Sequence, residues 1–134
     1  DDLDDLVYMP LVLHELARTA LAAVRASAGG GRSLDERVEW LGFCLRATEV
    51  CEQRHLAIYN TPTAGHVGVF KKIRADALAL ACGDPELDAR LSRAAWPREP
   101  ADILNLRREA LAIMQLHYAA QHPELCELKA QCQG

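Results

Sequence analysis

Residues 33–60 read SLDERVEWLGFCLRATEVCEQRHLAIYN. Ser33 followed three residues later by Glu36 has the form of a capping box. In that motif the hydroxyl satisfies the amide at the third helical position and the carboxylate reaches back. Leu34, Val38, Leu41, Leu45 and Thr48 recur at spacings of three and four, and Trp40, Cys44, Ala47 and Cys51 form an adjacent stripe. Two neighbouring stripes predict a helix buried over a wide arc. It should end before Pro62, because a residue that precedes proline avoids the helical region. A helix of this kind needs other helices on two sides.

The flanking segments supply them. Upstream, residues 9–31 place Pro10 as a first helical residue, and Gly29, Gly30 and Gly31 as the stop. Leu13, Leu16, Ala17, Ala20, Leu21 and Val24 make the apolar face between them. Downstream, residues 61–83 predict a helix with Thr63 as N-cap and Gly83 as stop, with Val67, Phe70, Ile73, Ala77 and Leu80 facing inward. Asp84 and Pro85 open a short helix bearing Leu87 and Leu91, closed by Pro97 and Pro100. Residues 100–121 carry Ile103, Leu106, Ala110, Leu111 and Met114 on one face. Pro123 then kinks that helix or starts a last short one bearing Leu125 and Leu128. No strand pair, hairpin dipeptide or repeat is present. The sequence predicts an all-α protein, a compact bundle of five or six helices in a single domain.

Composition fits that reading. Half of the 134 residues are hydrophobic and a quarter are charged, as expected for one globular domain with a real core. Ala and Leu dominate, while strand-favouring residues are sparse. The formal charge of −4 is matched by the four aspartates of the opening DDLDD, so the rest of the chain is balanced and offers no general attraction for a polyanion or an anionic membrane. No apolar run approaches the roughly 18 residues of a membrane span. Residues 1–9 are expected to form either a turn ahead of Pro10 or a mobile acidic segment. The non-methionine start points to a domain cut from a longer chain. Five dispersed cysteines suit reduced thiols in the cytoplasm rather than a disulfide framework.

Three constellations could carry a function. The tail HPELCELKAQCQG, residues 122–134, holds His122, Cys126 and Cys132. His122 and Cys126 share a helical face, but Cys132 lies roughly 600° of rotation beyond Cys126. No Cys-x-x-Cys pair supports a zinc site, so the expectation is no cofactor and a plain helix end. Glu52 and His55 form a single Glu-x-x-His spacing, half of what a carboxylate-bridged di-iron bundle requires. Nothing marks a nucleophile with its base and oxyanion donor, and the chain is not expected to be an enzyme.

A basic stripe of Lys71, Lys72 and Arg74 with Arg107 and Arg108 would suit helical nucleic-acid binding. The interleaved Asp76 and Glu109 blunt it. Gly65 and Gly68 beside the two lysines match no phosphate-binding fingerprint. They are expected to permit close packing, with the lysines solvated. Finally, Tyr8, Met9, Trp40 and Phe43 remain once the main stripes have filled the core. Tyr, Trp and Met are favoured at interface centres. The reading is therefore a non-enzymatic interaction or regulatory module whose partner is another protein or itself, as a homodimer. Nucleic-acid binding is the alternative, and a small zinc-binding domain the third.

Overall fold

The computed structural model describes residues 16–26 and 33–133. Among them the chain forms six helices and no strand, packed as one bundle. These are α1 (16–26), α2 (Leu34–Tyr59), α3 (Gly65–Cys82), α4 (Pro85–Arg90), α5 (Pro100–Met114) and α6 (Pro123–Gln133). Expectations for residues 1–9, Pro10 and the triple glycine lie outside the described residues.

Helix α2 starts as its sequence predicts. The Ser33 hydroxyl accepts from the Glu36 amide at 3.2 Å and donates to the Glu36 carboxylate at 3.4 Å. The helix stops at Asn60, whose φ of 49° is left-handed and whose amide closes the last turn on the Leu56 carbonyl. Asparagine tolerates that conformation better than most residues. Both stripes are used: Leu41, Cys44, Leu45, Ala47, Thr48 and Cys51 are all buried. The Thr48 hydroxyl, deep in this face, donates to the Cys44 and Leu45 carbonyls at 3.0 Å each and so carries no unsatisfied donor.

Helix α3 is the centre of the bundle, packed against α2, α4 and α5, with 11 of its 18 residues buried. Its N-cap is Ala64, with no side-chain capping bond, and not the expected Thr63. Residues 61–64 fold into a turn closed by the Ala64 amide on the Thr61 carbonyl, which leaves Thr63 one position early. Gly68 lets α5 approach: a Cβ there would stand 2.9 Å from Met114 Cγ and 3.0 Å from Ile113 Cγ2. The packing role read for this glycine is the one it has.

Asp84 caps α4 through the Glu86 and Leu87 amides, with Pro85 at the first position. That helix ends at Arg90, well before Pro97. Pro100 opens α5, where the Asp102 carboxylate accepts from the Glu99 amide at 3.1 Å. Helix α5 ends at Met114 rather than near residue 121. Shorter-range bonds from the Leu116 and His117 amides to the Ile113 and Met114 carbonyls tighten the chain there, and the His117 ring reaches the Thr63 carbonyl at 2.6 Å. Pro123 starts a separate helix, α6, with Leu125 and Leu128 buried. Helix α1 buries Ala17, Leu21 and Val24 in the same core.

Candidate functional site

A groove of about 540 Å³ runs between α1 and α2. Leu16, Ala20 and Ala23 supply one wall, at helical spacings of four and three, while Trp40 and Phe43 supply the other. The two aromatics are half-buried and rest on the core. Leu16 is 48% exposed. At the rim stand Glu39 and Arg46, both exposed, seven residues and hence about two turns apart. Neither forms an ion pair with another described residue. The Arg46 guanidinium lies back over Gly42, its Nη1 3.1 Å from where a Cβ would stand. The groove is apolar, carries two aromatic rings and has one charge of each sign at its edge.

Of the four residues expected at an interface, Trp40 and Phe43 share this groove, while Tyr8 and Met9 lie outside the described residues.

The basic stripe takes a different form from that of the sequence reading. Lys72 is 5% exposed and donates to Asp76 at 3.1 Å and Glu127 at 2.7 Å. Burial alone would lower its pKa, but these carboxylates more than offset that and hold it above the ordinary lysine value. Asp76, itself 4% exposed, also accepts from Arg107 at 3.3 Å and Gln131 at 3.4 Å and lies 3.7 Å from Arg25. Lys71 bridges Glu52 and Glu109. Arg74 meets Glu52 at 2.8 Å. Burial would raise the Glu52 pKa, but Arg74 and Lys71 draw it below the ordinary range. The expected solvated lysines are thus corrected: both sit among carboxylates between helices, Lys72 between Asp76 of its own helix and Glu127 of α6, and Lys71 between Glu52 of α2 and Glu109 of α5. Arg108 is exposed.

At the tail, the His122 Nδ1 accepts from the Glu124 amide at 3.2 Å, capping α6, and Tyr118 packs edge-on against the ring at 4.8 Å. The Cys126 thiol points to the Ala120 carbonyl at 3.6 Å, and Cys132 packs on the core. Among the described residues no three His, Cys, Asp or Glu side chains are grouped to hold a metal ion. All five cysteines are free thiols. Burial pushes Cys44 up to about 12 and Cys51 up to about 11, so at neutral pH both are protonated and poor nucleophiles.

Two features escaped the sequence reading. Arg98 is 1% exposed, and its guanidinium donates to the Asp88 carboxylate at 2.6 Å and to the carbonyls of Asp88, Leu91, Ser92 and Trp96. It fastens the link from α4 to α5. His55, which the sequence marks only as half of a Glu-x-x-His pair, is buried with its Nε2 unpartnered, 5.8 Å from the His66 ring. Burial first, then the nearby His66, lower its pKa. The Lys72–Asp76 spacing of four was a visible signal of an ion pair, whereas Arg98 had none.

Among the described residues no helix is long and apolar enough to cross a membrane. Comparison with protein-family models, curated proteins and solved structures finds no match.

Proposed function

We propose that the chain is a non-enzymatic interaction or regulatory module that docks a protein partner along the groove between α1 and α2. The observation that carries the reading is the pairing of Trp40 and Phe43 with the exposed Leu16 in one apolar channel. Leaving that surface in water is unfavourable by roughly 25 cal/mol per Å² of apolar area, and a partner relieves it. The high pKa of Cys44 and Cys51 argues against thiol catalysis. Five free thiols suit a reducing compartment such as the cytoplasm. A nucleic-acid stripe draws no support from cations that already face carboxylates, and a zinc site none from the capping role of His122.

Leu16→Glu tests the reading without touching the buried core. Sedimentation and native mass spectrometry should show that this variant loses the associations of the wild-type chain, with its helical circular dichroism and melting temperature retained. Associations that survive both Leu16→Glu and Trp40→Ala would exclude the groove as the docking surface.

A further inference from the structure

We infer that the occupant of this groove is a second copy of the chain, with α2 antiparallel to α2 of the other copy across a two-fold axis beside Gly42 and Phe43. The inference rests on the docking reading above and adds the partner and its register. A two-fold interface must be complementary to itself. Glu39 and Arg46 meet that requirement: they have opposite charge, stand on one rim of the groove, and are separated by about 10 Å along the helix. An axis through their midpoint exchanges them, so that each Glu39 faces the other copy's Arg46 and two ion pairs form per dimer. Phe43 falls next to the axis and meets its own counterpart, with Trp40 one turn away. Leu16, on the opposite wall, is covered from the same side. A parallel arrangement would set Glu39 against Glu39 and Arg46 against Arg46, which like-charge repulsion disfavours. Charge complementarity also explains why these two groups have no ion-pair partner within the described chain, unlike Asp76 or Glu52.

The test is sedimentation velocity over a concentration series on the full chain, comparing wild type with Glu39→Arg, Arg46→Glu, the double reversal and Leu16→Glu. All the charge changes are on exposed side chains, so folding is checked by an unchanged melting curve. Wild type should dimerise, and each single reversal should weaken the dimer by about tenfold, since both copies carry the mismatch. The double reversal should restore wild-type association, because each introduced arginine then faces an introduced glutamate of the other copy. Only pairing with a second copy produces that rescue. A chain that stays monomeric at every concentration overturns the second-copy inference and leaves the docking reading to its own Leu16→Glu test. A dimer broken by Leu16→Glu but not rescued by the double reversal overturns the antiparallel register. A dimer indifferent to every variant overturns both.

Discussion

The two sides of α2 treat charge in opposite ways. Toward α3, Glu52 is held between Arg74 and Lys71, and one layer further in Asp76 gathers Lys72, Arg107 and Arg25 at 4% exposure. Toward α1, Glu39 and Arg46 stand at the edge of an apolar groove with no ion-pair partner among the described residues. The glycines show the same division. Gly68 is pressed by Ile113 and Met114 of α5, whereas Gly42 is covered only by the flexible end of Arg46. A buried charge away from water must be matched or the fold suffers, while an exposed one costs the monomer almost nothing to change. The inner side of α2 is thus committed to holding the bundle, whereas the charges Glu39 and Arg46 on its outer side are exposed.

This contrast is challenged most directly at Asp76. Asp76→Ala strands Lys72 and Arg107 with one partner fewer, and removing one member of a buried ion cluster typically costs about 3–5 kcal/mol. Denaturant titration should show a loss of that order, and a loss below about 1 kcal/mol would mean the cluster is solvated and the two sides are alike. Gly68→Ala comes next. Helix propensity returns up to about 1 kcal/mol, but overpacking against Ile113 and Met114 costs about 1–3 kcal/mol. A net loss of about 1 kcal/mol is expected, whereas Gly42→Ala should be neutral or slightly stabilising.

A pH series probes the end of α2. The folded pKa of His55 is below its ordinary value of 6.5, so the fold prefers the neutral ring. Its contribution is complete above about pH 6.5 and is lost as pH falls through that value toward the folded pKa. Asp84, Asp88, Glu52 and Glu124 are shifted below the ordinary carboxylate range. Their contributions are present above about pH 4 and fail only below it, so the two windows separate. Melting temperatures should fall between pH 7.5 and 5.5 in wild type and fall less in His55→Phe; equal slopes would rule His55 out. The smallest effect belongs to the groove rim, where Glu39→Ala should alter monomer stability by less than about 0.5 kcal/mol.

Much of the fold was legible along the chain. Ser33 opens α2 and the helix ends before Pro62, Asp84 and Pro85 open α4, and Pro123 opens α6, each by chemistry confined to a few neighbouring residues; the left-handed stop at Asn60 was seen only in the structure. Half of the candidate groove was legible too: Trp40 and Phe43 stood out as apolar residues beyond what the core stripes needed, but nothing in the sequence placed Leu16 opposite them. Thr63 and the far end of α5 were misread because a turn at 61–64 and the reach of His117 to Thr63 override local propensity.

The helical class, most helix boundaries and the inward faces were already written along the chain, because capping and 3.6-residue periodicity act between residues at most a few positions apart. The fate of the charges was settled by tertiary packing. Lys72 meets Glu127 fifty-five residues away and Arg74 meets Glu52 twenty-two residues away. Whether a lysine is solvated or buried depends on what the rest of the chain brings to its side, and periodicity along one helix carries no record of that.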